Sequence, residues 1–235
     1  MGILNDLTIK YDVDALELGY TQHYNQLLSE VRDDFTKVLE IGVETGRSHR
    51  LWLEYFPNAK IYGYDIFKYG YDELQRLQEA NPFLDRSVMF KGDQSNVEDL
   101  NRFKSEHGGD FDMIIDDGGH TMEQMQTSLN HLWDSVKPGG IYVIEDLHSC
   151  SGQWPELYGY EVIQDGDTLT TDLLSSLENN DDEVTETNYI PADVISKIRS
   201  EMEWCQTKIG VEQYTNQKGQ NYHWPTTLSF MRKNI

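Results

Sequence analysis

Residues 37–66 read KVLEIGVETGRSHRLWLEYFPNAKIYGYDI, and this stretch decides the fold. Residues 37–43 form a short apolar run around Gly42. Leu51, Trp52, Tyr55 and Phe56 then fall at helical spacing, and residues 60–66 return to a short run rich in Ile and Tyr. A strand, a helix and a second strand of these lengths make a βαβ unit, whose strands run parallel. Residues 88–92, 111–116 and 140–145 repeat the strand theme. Met122, Met125, Leu129 and Leu132 mark a helix between the last two. Lys137-Pro138-Gly139-Gly140 is expected to stop that helix before the fifth strand. A helix is expected around 21–31 and another through 192–204, with late strands near 207–214 and 226–232. Residues 148–168 read as a loop with something to cover, and residues 178–187 (LENNDDEVTE) as an exposed acidic loop.

Charge limits the partners. Against 19 Lys and Arg stand 41 Asp and Glu, a formal net charge of −22 over 235 residues. Such a polyanion repels phosphate backbones and anionic lipid surfaces, and no local basic patch offsets it, so neither nucleic acid nor membrane is expected. Fourteen Tyr, eight Phe and five Trp argue against wholesale disorder. Two cysteines, Cys150 and Cys205, are too few for a disulfide framework. With no signal peptide and no apolar run near 18 residues in the sequence, the expected location is the cytoplasm.

Ligands of open parallel sheets bind at the carboxyl ends of the strands. The first such end reads Glu40-Ile41-Gly42-Val43-Glu44-Thr45-Gly46. A dinucleotide fingerprint would need glycine where Glu44 stands, because a carboxylate beside a pyrophosphate is repelled. A cofactor that lacks phosphates and carries positive charge tolerates it, and S-adenosylmethionine is such a molecule. Asp65 ends the second strand, placed to accept hydrogen bonds from ribose hydroxyls. Asp93, Gln94 and Ser95 follow the third strand, where an adenine edge would be read.

The fourth strand ends Asp116-Asp117-Gly118-Gly119-His120 and the fifth Glu145-Asp146. If these strands are neighbours, Asp117, Glu145 and Asp146 converge, and three crowded carboxylates repel unless a cation joins them. Oxygen-only ligands suit Mg²⁺, with Mn²⁺ or Ca²⁺ as weaker options. His120, three residues after Asp117, stands where a general base is wanted, since imidazole titrates near neutral pH. Asp116 is a candidate for the cofactor's amino group. Trp154, Tyr158 and Tyr160, beyond the fifth strand, are candidates to stack on an acceptor or to pack as a lid.

These motifs resemble class I S-adenosylmethionine-dependent methyltransferases, and within them the metal-dependent, mycinamicin-type sugar O-methyltransferases. The likeness covers about residues 19–150 well and the remainder weakly. It implies a Rossmann-like class I methyltransferase fold: an α/β architecture with a seven-stranded, mostly parallel sheet, an antiparallel last strand and helices on both faces. It also implies that Glu40, Gly42, Gly46, Ser48 and Asp65 contact the cofactor. Gly19-Tyr20-Thr21-Gln22-His23-Tyr24 is similar to the family's N-terminal segment, which implies that Tyr24 helps hold the cofactor's methionine end. Where the family carries Gly-Thr-Asp-Lys just before, this chain reads Tyr11-Asp12-Val13-Asp14. The spacing of Asp117, His120, Glu145 and Asp146 matches the family's metal ligand, base and metal ligands. Catechol O-methyltransferases resemble it less, with Lys for His and Asp-Asn for Glu-Asp.

The expected organisation is an N-terminal helical segment, 1–35, before a methyltransferase domain, 36–235, in which 148–190 is a variable insert on the acceptor side. The expected activity is Mg²⁺-dependent O-methylation of a small-molecule vicinal diol, foremost a sugar of a glycosylated natural product. The alternatives are a catechol-type acceptor, or a relative that binds cofactor or metal without methyl transfer. Relatives of this kind pair or form tetramers, so a homo-oligomer is implied as well.

Overall fold

Val38, Leu39 and Ile41 are buried on both faces of β1 (Lys37–Ile41), as the central strand of a parallel sheet requires. The computed structural model describes residues 2–13, 19–68, 84–150, 166–215 and 221–235. β1 lies in parallel between β2 (Lys60–Asp65) and β4 (Phe111–Asp116). β3 (Ser87–Lys91) flanks β2 and β5 (Val136–Ile144) flanks β4, again in parallel. β7 (Asn221–Lys233) then runs antiparallel to β5, and β6 (Met202–Thr215) closes the edge. The order is β3-β2-β1-β4-β5-β7-β6, the seven-stranded sheet with an antiparallel last strand that the sequence implied.

Seven α-helices cover the sheet among the described residues. On one face lie α1 (Ile3–Tyr11), α2 (Tyr20–Leu28) and α3 (Arg47–Tyr55). Their Leu4, Tyr20, Tyr24 and Trp52 pack on Val38, Met113, Ile115 and Val143. On the other face lie α4 (Val97–His107), α5 (Met122–Leu132), α6 (Thr170–Asn179) and α7 (Ala192–Glu201). Phe103, Leu129, Leu173 and Ile195 pack there on Leu39, Ile114 and Tyr142. Alternate strand residues therefore feed two cores, which follows from the twofold period of a strand. Among the described residues, no helix is long and apolar enough to cross a membrane.

Several boundaries differ from the sequence expectation. β5 begins at Val136, so Lys137-Pro138-Gly139-Gly140 lies inside the strand. The ladder absorbs it by a register shift between Phe111↔Val136 and Met113↔Ile141, and a short 3₁₀ turn, Trp133–Ser135, ends the helix instead. α6 was not anticipated: its N-cap is Leu169, without a side-chain cap, so no start signal marks it, and buried Leu173, Leu174 and Leu177 hold it. α7 stops at Glu201, and the chain enters β6 directly. The acidic loop is anchored to its neighbours. Ser176 Oγ donates to the Asp181 carbonyl (3.1 Å), and Arg199 donates to Asp182 Oδ1 (3.0 Å) and to the Val184 carbonyl (3.2 Å). Trp154, Tyr158 and Tyr160 lie outside the described residues.

At the tip of β1 the chain needs a residue without a side chain. Gly42 has φ +87°, and a Cβ there would sit 1.9 Å from the Asp117 carbonyl oxygen. Gly42→Ala should cost at least ~1 kcal/mol from the left-handed backbone alone, with the overlap adding to it. Urea unfolding should show a clearly lower midpoint; a midpoint equal to wild type contradicts this contact.

Candidate functional site

Parallel pairing brings the strand tips to one rim, with Ile41 opposite both Tyr64 and Asp116, and Asp116 opposite Ile144. Above that rim opens a cleft of about 670 Å³, within the size range of small-molecule sites. Among the described residues, seven acids line it (Asp12, Glu44, Asp65, Asp93, Asp117, Glu145 and Asp146) against two permanent cations, Arg47 and Lys68. Such a wall favours a positively charged occupant.

The cleft's first wall is the turn after β1. Asp65 Oδ2 accepts from the backbone N–H of Val43 (2.8 Å) and of Glu44 (3.0 Å), which pins the turn to the tip of β2. Glu44 is left-handed there, φ +47°, a conformation that costs an L-residue about 1–2 kcal/mol. Gly46, φ +78°, caps α3, and Ser48 on its first turn faces the cleft. At the tip of β3, Asp93 Oδ1 accepts from Ser95 N (2.9 Å) and Ser95 Oγ (2.7 Å). Gln94 is buried, donates to Asp116 Oδ1 (2.9 Å) and accepts from Gly119 N (2.8 Å). It thereby fixes the Gly118–Gly119 turn that leads to His120.

The second wall carries the acids of β4 and β5. Asp117 N donates to the Ile41 carbonyl and Glu145 N to that of Asp116, both at 2.9 Å, so each acid is set by the sheet ladder. His120 Nε2 lies 3.8 Å from Asp117 Oδ1 and 3.6 Å from Asp146 Oδ2. One ligand atom from each of Asp117, His120 and Asp146 falls within 4.8 Å of the others. His120 and Asp146 both have left-handed backbones, φ +59° and +52°. Ser149 Oγ reaches the carbonyl oxygens of both, at 3.0 and 2.6 Å, and so ties the two turns together. Among the described residues, His120 Nδ1 is buried without a hydrogen-bond partner. Strain and an orphaned ring nitrogen together are typical of a site built for a ligand.

Of the residues singled out from sequence, Gly42, Ser48, Asp65, Asp93, Gln94, Asp117, His120, Glu145 and Asp146 line the cleft. The others lie behind it. Glu40 is buried against α3, its carboxylate 3.0 Å from His49 Nδ1, while His49 Nε2 lies 2.9 Å from Ser87 Oγ. This Ser-His-Glu series has the order of a nucleophilic triad, yet none of its members lines the cleft. Asp116 points to the opposite face of the sheet, among Gln94, Ser128 and Tyr142. Burial pushes its carboxyl up to about 6, although Ser128 and Gln94 oppose the shift. Tyr24 is buried under the second wall, its hydroxyl donating to Glu145 Oε1. Gly46 and Ser95 support the two turns from behind.

Sequence reasoning missed Asp12, Arg47, Lys68 and Tyr20. Asp12 ends α1 and accepts from Arg47 Nη1 (2.9 Å) at the cleft mouth. Tyr20 donates to Asp146 Oδ1 (2.8 Å). The tyrosine was within reach of reading, since it stands one helical turn before Tyr24 in the quoted segment.

Residues 39–147 match the model of a family described as a methyltransferase domain. The chain is 36% identical over 166 residues to the mycinamicin VI 2''-O-methyltransferase of Micromonospora griseorubida, covering 67% of this chain and 38% of that protein. It is 34% identical over 181 residues to the demethylmacrocin O-methyltransferase of Streptomyces fradiae, covering 73% and 41%. The chain thus spans about two fifths of these relatives' length. Among solved structures, a mycinamycin-pathway methyltransferase in complex with Mg, SAH and mycinamycin VI superposes with a TM-score of 0.67 at 28% identity, over 99% of this chain and 55% of that one.

The support given by Gln94 can be measured directly. Gln94→Leu leaves the Gly119 N–H and the Asp116 carboxylate short of a buried partner, at about 1–3 kcal/mol for each such group. Denaturant titration should show a loss of about that size; a loss near zero would mean that Gln94 does not hold the turn.

Proposed function

We propose that this chain, which belongs to the S-adenosylmethionine-dependent methyltransferases, transfers a methyl group to a hydroxyl of a sugar-like vicinal diol, with a divalent cation at the acidic end of its cleft. The observation that carries the reading is the convergence of Asp117, His120 and Asp146 within 4.8 Å, in the cleft that Glu145 also lines. The donor set fits the ion: carboxylate oxygens suit Mg²⁺, and crowded carboxylates favour a cation among them. Solved relatives hold Mg and SAH, and curated relatives are named as O-methyltransferases of macrolide and tetracenomycin sugars.

In this reading Asp65, Asp93 and Gln94 line the cofactor's nucleoside end, and Gly42 and Ser48 its approach along β1 and α3. Asp117, Glu145 and Asp146 hold the cation, which when bound lowers the pKa of an acceptor hydroxyl. His120 accepts that hydroxyl's proton at its imidazole, and the oxygen so freed takes the methyl group as the methyl–sulfur bond of S-adenosylmethionine breaks and S-adenosylhomocysteine leaves. The left-handed backbone of His120 and the Ser149 tie fix where the imidazole stands. The surrounding acids stabilise the imidazolium once it forms. Glu40 and Asp116 act from behind the cleft, as supports for α3 and for the Gly118–Gly119 turn. The domain division at residue 36 and the acceptor-side role of 148–190 belong to the same proposal. So do the alternatives of a catechol acceptor and of a self-associated assembly.

Labelled methyl transfer from S-adenosylmethionine to a panel of glycosides should occur, and EDTA should abolish it. Transfer to a catechol panel instead would overturn the sugar assignment, and cofactor binding without turnover on any diol would overturn the enzymatic one. His120→Ala should lose at least about a hundredfold in rate while its Mn²⁺ affinity stays near wild type. Loss of Mn²⁺ binding in that variant would make His120 a ligand rather than the base. Asp65→Ala should raise the dissociation constant for S-adenosylhomocysteine about tenfold, one charge-assisted hydrogen bond's worth; overlapping isotherms would refute its role.

A further inference from the structure

The acids at the tip of β5 are held from an element far away in sequence. Tyr20 and Tyr24 stand one turn apart on α2, and both are fully buried. The Tyr20 hydroxyl donates to Asp146 Oδ1 at 2.8 Å, and the Tyr24 hydroxyl donates to Glu145 Oε1. Consecutive residues of a regular strand point to opposite faces. Here the left-handed backbone of Asp146, φ +52°, breaks that alternation. Two neighbouring phenols on one helix face thereby reach two neighbouring carboxylates.

We propose that Tyr20 and Tyr24 are positioning residues that set the Asp146 and Glu145 carboxylates for a divalent cation. The inference deepens the metal reading given above and rests on it. Three features favour this role over mere satisfaction of two buried hydroxyls. First, Tyr20 takes Oδ1 of Asp146, so that Oδ2 is the oxygen turned towards His120, 3.6 Å away. Each carboxylate is thus oriented through one oxygen. Second, a phenol donates without cancelling charge. A Lys or Arg in its place would neutralise the acids and compete with the cation, whereas neutral donors fix geometry and leave the negative charge intact. Third, the Tyr24 ring is itself clamped. Trp52 lies edge-on at 5.3 Å and Phe230 at 5.4 Å, which ties the hydroxyl to α3 and β7.

The test is Mn²⁺ binding to the full chain, followed by the electron paramagnetic resonance signal of free Mn²⁺. The proteins are wild type, Tyr20→Phe, Tyr24→Phe, the double variant and Asp117→Ala. Each Phe variant keeps the ring and loses only the donor. Outer partners of metal ligands are worth about 10–100-fold in affinity, so each single variant should bind Mn²⁺ at least about tenfold more weakly. At saturating metal, kcat should recover towards wild type, because the effect lies in metal capture. Thermal midpoints in EDTA should move little. Phe103→Leu, in the core on the other face of the sheet, serves as the packing control: it should lower the midpoint yet keep the wild-type Mn²⁺ affinity. Wild-type Mn²⁺ isotherms in both Phe variants overturn the positioning role while leaving the metal reading intact. A wild-type chain that binds no Mn²⁺, indistinguishable from Asp117→Ala, overturns the metal reading and the positioning role with it.

Discussion

Mutual repulsion among Asp117, Glu145 and Asp146 is the constraint around which this end of the molecule is organised. Negative charges at the tips of adjacent strands would drive the turns apart unless the fold held them. It holds them by hydrogen bonds. The β4–β5 ladder places their backbones, Ser149 ties the His120 and Asp146 turns, and two buried phenols each take one carboxylate oxygen. Left-handed conformations at Glu44, His120 and Asp146 cost about 1–2 kcal/mol each, and the packed sheet beneath them supplies the stability that allows this. Crowding like charges on a rigid rim is unfavourable in isolation and becomes useful when a cation binds among them.

The same logic runs along the rest of the rim. Asp65 holds the turn after β1 through two backbone N–H groups, and Asp93 holds its own turn through Ser95. These acids shape the walls as well as charging them. The charge of −22 is therefore not uniform in meaning. Asp112, fully buried, pairs with Lys137 and takes the N–H groups of Thr36 and Lys37 at the far end of the sheet. Asp182 binds Arg199 at the surface. The seven acids of the cleft form a distinct group.

The βαβ reading of residues 37–66 held because buried parallel strands are apolar on both faces and short, a pattern that needs no tertiary knowledge. Strand ends were legible for the same reason: an acid after an apolar run marks where the chain leaves the sheet. What the sequence concealed depended on side-chain direction. Glu40 and Asp116 are both acids at or near strand tips, yet alternation turns them to the cores behind the cleft, Glu40 towards His49 on α3 and Asp116 towards Ser128 on α5. The start of β5 was hidden because Pro138, Gly139 and Gly140 read as a break, whereas a register shift admits them to an irregular ladder. α6 lacks a capping residue, and its leucines alone do not separate helix from strand. The pairing of Tyr20 with Asp146 spans 126 residues and has no local signature.

The proposed binding of one cation by Asp117, Glu145 and Asp146 is most directly tested by anomalous scattering from crystals soaked with Mn²⁺ and S-adenosylhomocysteine. The expected result is a single strong peak about 2.0–2.2 Å from carboxylate oxygens of Asp117, Glu145 and Asp146, with His120 beside it and outside bonding distance. A peak elsewhere in the cleft, or none between those three acids at saturating Mn²⁺, would contradict the site.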